Sequence, residues 1–143
     1  MLKNIPSVLS PELLKVLMEM GHGDEIVLAD GNFPKFAHPN IVIRCDGHNI
    51  SEIMDAILKF MPLDSYVESP VTFMEVLKND PYIPEIWDTY RKIGLKYEEK
   101  GLREQCINKF DFYEQSKKAY AVITTSEKAL YANVILKKGV VTE

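Results

Sequence analysis

A regular alternation between short apolar runs and amphipathic helical stripes is the feature that most constrains the fold. The clearest helix follows Asn49, which has the spacing of a capping box with Glu52. Its apolar positions share one helical face: Ile53, Met54, Ile57, Leu58 and Met61. Residues 25–29 form a short apolar run and predict a largely buried strand. Because strands that alternate with helices pack as layers, the sequence predicts a layered α/β domain.

Local signals place the other helices. Ser10 and Pro11 predict a helix start, and Gly21 predicts its end. Another helix is predicted to begin at Pro84 and to end at Gly101. A short helix is predicted over residues 110–118.

The remaining strands are predicted over residues 41–44, 105–107, 120–124 and 133–136. Residues 65–77 are rich in strand formers, but Pro70 interrupts them, so we expect an edge strand or a bulge there. The chain contains no internal repeat, low-complexity tract or long linker. Residues 1–143 are therefore expected to form a single domain.

Composition excludes several classes of partner. The net charge of −4 argues against a nucleic-acid surface, which needs a basic face. No apolar run approaches the roughly 18–20 residues of a membrane span, so we expect no membrane partner. Two cysteines make a disulfide framework improbable and indicate a reducing, cytoplasmic location.

Most catalytic chemistries find no support in the motifs. The histidines His22, His38 and His48 lack the spacing of a zinc site, and no serine lies in a G-x-S-x-G elbow. The segment GHGDE follows a helix and precedes a strand, which is the reverse of a phosphate-binding loop. Cys45 and Cys106 lie in predicted strands and are expected to be buried packing residues. No metal and no cofactor are predicted.

His22 has two possible interpretations. Its imidazole is suited to proton transfer near neutral pH, and acidic residues including Asp30 lie close in the sequence. Asp30 also ends a predicted strand, where α/β domains often place ligand-binding groups. Alternatively, His22 caps the first helix and Asp30 starts a turn. Spacing alone favours this second, structural interpretation.

Two late segments mix aromatic and hydrogen-bonding residues. Residues 109–114 (KFDFYE) and 130–133 (LYAN) can stack on a sugar and hold its hydroxyls. Core packing is the alternative, and it is preferred for Phe110 and Phe112. Tyr131 to Asn133 is explained almost as well by a turn, and Trp87 fits a structural helical stripe.

Several motifs, in order along the chain, resemble the L-fucose mutarotase family, the sister group of the D-ribose pyranases. The matching segments are SPELLKVLMEMGHGDEIVLAD, NFP, RCDG, LDSYVESP, KFDFYEQSKKAYAV and TSEKALYANVILKKGV. Only residues 80–101 carry no matching motif.

The resemblance implies a fold, an activity and a set of site residues. The fold is a three-layer α/β/α sandwich with a mainly parallel, mixed sheet, and the subunits form a decameric ring with the sugar near a subunit boundary. The activity is conversion between the α and β anomers of L-fucose, without a metal or cofactor. His22 is the implied proton donor, and the implied sugar contacts are Asp30, Tyr131, Ala132 and Asn133.

Three positions depart from the family pattern. Lys109 replaces an arginine that binds sugar in relatives, and so loses the planar fork that can hold two hydroxyls. Ala132 stands where fucose enzymes usually carry glycine, and Tyr120 where several carry phenylalanine. These changes leave activity on D-ribose open.

The expected mechanism is ring opening by a general acid and a general base. His22 would donate a proton to the ring oxygen, and the base would be a water held by Asp30 or the phenol of Tyr120. Two alternatives to an enzyme are a non-catalytic sugar-binding module and a structural protein that forms a ring.

Overall fold

The computed structural model describes residues 1–143 and contains four α-helices and six strands. The helices are α1 (Pro11–Glu19), α2 (Ile50–Leu58), α3 (Glu85–Tyr97) and α4 (Lys109–Lys117). The strands are β1 (Glu25–Ala29), β2 (Ile41–Cys45), β3 (Val71–Met74), β4 (Glu104–Ile107), β5 (Ala121–Thr125) and β6 (Val134–Lys137). A 3-10 helix at Lys35–Ala37, which the sequence did not predict, lies in the loop after β1.

One mixed sheet joins all six strands in the order β2-β5-β1-β6-β3-β4. β5 pairs in parallel with β1 and β2, and β3 pairs in parallel with β4. β6 is antiparallel to both of its neighbours, β1 and β3. Five strands therefore share one direction and β6 opposes them, which confirms the predicted mainly parallel sheet.

Side chains that alternate along the strands fill two cores, one on each face of the sheet. In β1, Ile26 and Leu28 pack with the apolar stripes of α1, α2 and α3. Val27 and Ala29 face the other way and pack with Phe112 of α4. Helices thus cover both faces, which confirms the three-layer α/β/α arrangement of this single domain. None of the four helices is long and apolar enough to cross a membrane.

Helix boundaries follow the predicted caps. The Ser10 side chain accepts a hydrogen bond from the Leu13 amide at 3.1 Å, and Asn49 forms the complete capping box with Glu52. α3 ends at Tyr97, earlier than predicted, and Gly101 takes a φ of 71° in the turn that follows.

Pro70 marks the start of an interior strand, so the prediction of an edge or bulge was wrong. β3 begins at Val71, lies between β6 and β4, and pairs in continuous register. Because Pro70 precedes the strand, its missing amide hydrogen removes no ladder bond there. Its carbonyl still accepts a hydrogen bond from the Lys137 amide at 2.8 Å.

Two burial predictions were also wrong. Phe112 is buried as expected, but Phe110 is 72% exposed, because it lies on the outer side of the first turn of α4. Cys45 is buried in β2, whereas Cys106 is exposed because it lies on the edge strand β4.

Replacing Gly94 with alanine is expected to destabilise the protein, although alanine is the better helix former. A Cβ at Gly94 would lie 2.6 Å from Leu102 Cδ2, and Leu102 is itself buried. The overpacking cost of about 1–3 kcal/mol should exceed the helix-propensity gain of about 1 kcal/mol. Urea denaturation of G94A measures the change in the free energy of unfolding.

The matched control is the same substitution in an L102A background, where the neighbouring side chain is gone. There G94A should cost less than it does in the wild type, because the two sites interact directly. Equal costs in both backgrounds would contradict this explanation.

Candidate functional site

Four elements place residues at the edge of the sheet where the parallel strands end. Asp30 follows β1, Met74 ends β3, Lys109 begins α4 just after β4, and Asn133 directly precedes the antiparallel β6. Together with Tyr131 and Asp80 they line a cavity of about 250 Å³. The carboxyl edge of parallel strands is where α/β domains commonly bind ligands. This cavity is the candidate ligand site.

Asp30 and Asn133 are linked so that each keeps a free polar group. The Asp30 amide donates to Asn133 Oδ1 at 2.7 Å, and the Asn32 amide donates to Asp30 Oδ1 at 2.9 Å. The Asn133 amide NH₂ and Asp30 Oδ2 therefore remain available to a ligand. Burial raises the pKa of the Asp30 carboxyl, and the hydrogen bond from the Asn32 amide opposes that rise.

Tyr131 is fixed by its hydroxyl and by an unusual backbone conformation. Its φ of 57° lies in the left-handed region, which few residues other than glycine adopt. The hydroxyl donates to Asp80 Oδ2 at 2.6 Å, and the ring stacks on Tyr82 with centroids 6.0 Å apart. The phenol is thus already bonded, which leaves the ring and backbone of Tyr131 for ligand contact.

Helix α3 holds the Tyr131–Ala132 turn from behind. Trp87 Nε1 donates to the Tyr131 carbonyl at 2.8 Å, and the Tyr90 hydroxyl donates to the Ala132 carbonyl at 2.7 Å. Trp87 also stacks on Phe73 with centroids 5.0 Å apart, which confirms its predicted structural role. Sequence analysis placed Trp87 on a helical stripe but missed both hydrogen bonds, because such a stripe indicates burial and does not show a distant acceptor.

Lys109 supplies the positive charge of the cavity. It is the first residue of α4, and the Asn108 side chain caps the N-terminus of this helix. Its Nζ lies 5.9 Å from the ring centroid of Tyr113. Lys109, at the positive end of the helix dipole, lines the cavity together with Asp30 and Asp80.

His22 lies at the opposite edge of the sheet. It occupies a turn closed by a hydrogen bond from the Asp24 amide to the Gly21 carbonyl at 3.2 Å. Gly23, the third residue of this turn, has a φ of 86°, which explains why glycine follows the histidine. β1 separates this turn from Asp30, and its five residues span roughly 15 Å at about 3.3 Å each.

The contacts of His22 do not involve the candidate cavity. Its Nε2 lies 3.0 Å from Asp64 Oδ1, and its ring lies against Tyr66 with centroids 5.2 Å apart. Tyr120 belongs to the same edge as His22, lining a second cavity with Gly23 and donating its hydroxyl to Glu19 Oε2 at 2.7 Å.

The predicted site residues therefore divide into two groups. Five of them lie together at the carboxyl edge of the sheet: Asp30, Lys109, Tyr131, Ala132 and Asn133. His22 and Tyr120 lie at the other edge, beyond the reach of a ligand bound in that cavity. Ala132 is fully buried, so its methyl group packs inward while its backbone forms part of the turn.

Comparison with known proteins covers nearly the whole chain. The RbsD / FucU transport protein family matches residues 3–141. The fucose mutarotase of Mus musculus is 47% identical over 144 residues, which cover 96% of this chain and 94% of the relative.

Solved structures share the fold. The fucose mutarotase of Streptococcus pneumoniae, in complex with L-fucose, has a TM-score of 0.93 and 56% identity, and the match covers 99% of this chain and 100% of that chain. RbsD of Bacillus subtilis, in complex with D-ribose, has a TM-score of 0.75 and 25% identity, and covers 99% of this chain and 100% of that chain.

The pKa values of the two carboxyl groups of the cavity are expected to be shifted in opposite directions. Burial raises the pKa of Asp30, whereas the Tyr131 hydroxyl and the Tyr82 amide lower the pKa of Asp80. On acidification Asp30 should therefore take up its proton first. Carboxyl ¹³C chemical shifts, followed against pH, measure both midpoints.

Removing the Tyr131 hydroxyl provides the control. In Y131F the Asp80 midpoint should rise toward the ordinary aspartate range, while the Asp30 midpoint should stay within error of the wild type. Coincident midpoints for the two groups in the wild type would contradict the hydrogen-bonding scheme.

Proposed function

The chain belongs to the RbsD / FucU transport protein family, and from that premise we propose that it is an L-fucose mutarotase, an isomerase that interconverts the α and β anomers. The observation that carries the proposal is the polar cavity at the carboxyl edge, formed by the residues that the family resemblance assigned to the sugar. The relative from Streptococcus pneumoniae, bound to L-fucose, supports the same substrate.

The free polar groups of the cavity suit a monosaccharide. Asp30 Oδ2 can accept from a sugar hydroxyl, while the Asn133 amide and the Lys109 amine can donate to others. The Tyr131 ring offers an apolar surface for the face of the sugar. The Tyr131–Ala132 turn is held rigidly by α3, so these groups are already positioned before the sugar arrives.

Mutarotation needs only proton transfers. In the proposed reaction His22 donates a proton to the ring oxygen as the bond from that oxygen to C1 breaks, and the bonding electrons go to the ring oxygen. The C1 hydroxyl gives its proton to a base, and C1 becomes an aldehyde. Rotation about C1–C2 and the reverse steps close the ring on the other face. A general acid and a general base each contribute about 10²–10⁴ in rate.

Two groups are candidates for the general base. One is a water held by Asp30, whose Oδ2 is free. The other is the Tyr120 phenol. Its hydrogen bond to Glu19 raises its pKa, which disfavours the phenolate and makes the water the better candidate.

A second subunit has to bring His22 to the sugar. Within one chain His22 and Asp30 lie at opposite edges of the sheet, so we place each site between two copies. Exposed apolar side chains at both edges support such a contact, among them Leu77, Ile83 and Leu130 near the cavity and Tyr66 beside His22. Following the family resemblance, we propose a decameric homo-oligomeric ring.

D-ribose is the second candidate substrate. Ala132, which the ribose branch also tends to carry, and the bound D-ribose of the Bacillus subtilis relative both favour it. We place the enzyme in the cytoplasm, in carbohydrate metabolism that uses or salvages fucose. Its two unpaired cysteines suit a reducing compartment.

Replacing His22 with alanine should slow anomer exchange about 10²- to 10⁴-fold, because the proton donor is lost. Saturation-transfer NMR on L-fucose, D-ribose and D-galactose measures the exchange and separates anomer exchange from pyranose–furanose exchange. The matched control is H48A, which removes another exposed histidine paired with a carboxylate.

H48A should exchange L-fucose at the wild-type rate. If the wild type binds L-fucose but does not accelerate exchange above buffer, the protein is a sugar-binding module. Near-normal exchange by H22A would remove His22 from the mechanism.

Mixing two inactive variants tests whether the site is shared. H22A and D30A are each expected to be inactive, but after joint unfolding and refolding at equal amounts, about one quarter of the shared sites should carry both intact residues. Anomer exchange should therefore return in the mixture, and sedimentation should show the same assembly as the wild type. No recovery, or a monomer at micromolar concentration, would contradict the shared site.

A further inference from the structure

Asp64 is the one buried carboxylate in contact with His22, and the mechanism above gives it no role. It belongs to the segment LDSYVESP and lies in the connection between α2 and β3. Its side chain is only 4% exposed, and its Oδ1 lies 3.0 Å from His22 Nε2. The imidazole itself is 46% exposed, so one side of the ring faces Asp64 and the rest is open to an incoming molecule.

The backbone around Asp64 is fixed from three directions. Its amide donates to the Lys137 carbonyl at 3.0 Å, and its carbonyl accepts from Arg103 Nη2 at 2.6 Å. The Tyr66 amide donates to the same Oδ1 that faces His22, at 3.0 Å. A carboxylate held this firmly can hold its partner in one orientation.

The charge state of Asp64 decides which nitrogen of His22 can react. The Tyr66 amide and His22 lower the pKa of the Asp64 carboxyl, so it is ionised near neutral pH. An ionised carboxylate only accepts hydrogen bonds, so His22 Nε2 must be the donor. The lone pair of the neutral ring, and the proton that the charged ring gives up, are therefore at Nδ1.

We propose that Asp64 is a positioning residue for His22, holding the imidazole with Nε2–H directed inward so that Nδ1 is the atom that exchanges protons with the sugar. This inference rests on the proposed function, since it names the reacting nitrogen of the same site. Asp64 keeps the ring in one orientation, because its buried Oδ1 accepts from Nε2. Lys137 adds a weaker positive field at the Asp64 carboxylate.

The primary test is D64N, which keeps the shape and an accepting oxygen but removes the charge. At saturating L-fucose its exchange rate should fall about tenfold or more, because an asparagine amide can donate as well as accept and no longer fixes Nε2 as the donor. The KM for L-fucose should change less than about twofold, because the Asp64 side chain is buried and contacts His22 rather than the sugar. A merely structural role would not produce this split.

The matched control is E52Q. Glu52 also pairs with a histidine, His48, at 2.9 Å, and glutamine preserves its accepting oxygen in the capping box of α2. E52Q should exchange L-fucose at the wild-type rate. Circular dichroism and sedimentation should show that D64N and E52Q keep the wild-type fold and assembly.

A second measurement identifies which nitrogen of the His22 ring carries the proton. Long-range ¹H–¹⁵N NMR at alkaline pH should show the neutral His22 ring of the wild type with its proton on Nε2. In D64A the acceptor is gone, so both tautomers should be present. This measurement needs no catalysis. It therefore shows whether Asp64 fixes the tautomer of His22 even if the wild type is inactive on L-fucose and the proposed function fails.

Two results would overturn the inference. One is wild-type exchange by D64N in an active protein. The other is a D64A spectrum in which His22 still carries its proton only on Nε2.

Discussion

The antiparallel orientation of β6 determines where this chain can bind a ligand. Because β6 runs against β1, its first residue meets the last residues of β1 at one edge of the sheet. Asn133 therefore bonds to Asp30, although 103 positions separate them in the sequence. A parallel β6 would begin at the other edge, beside Glu25, and Asn133 would start there too. The Asn133 amide joins the carboxylate and the amine of the cavity only because this one strand is reversed.

The same arrangement explains why the proposed mechanism needs two chains. His22 precedes β1 and Asp30 follows it, so the strand that supports both also keeps them apart. Shortening β1 would remove buried residues that join two cores, which makes this separation a property of the fold. Pairing two copies is a simpler solution, because the sugar pocket of one subunit and the histidine of its neighbour can then meet at a contact.

Sequence reasoning recovered features that depend on neighbouring residues, such as the caps at Ser10 and Asn49 and the strand over residues 25–29. It was wrong where distant strands decide the outcome, since the interior position of β3 depends on pairing with β6. Family motifs indicated His22 and Asp30, but no local pattern showed that they lie at opposite edges. The donors Trp87 and Tyr90 fall within residues 80–101, which carry no matching motif.

Two aspartates with opposite environments divide the work in the proposed mechanism. Burial dominates at Asp30 and raises its pKa, so this carboxylate gains most when a sugar hydroxyl donates to it. The Tyr66 amide and the His22 ring dominate at Asp64 and lower its pKa, so its charge is kept despite burial. A carboxylate that must bind and release a substrate benefits from an oxygen that has no hydrogen-bond partner within the protein, as Asp30 Oδ2 has none. In the same proposal, the carboxylate that holds His22 benefits from a stable charge, which the two donors on Asp64 Oδ1 help to keep.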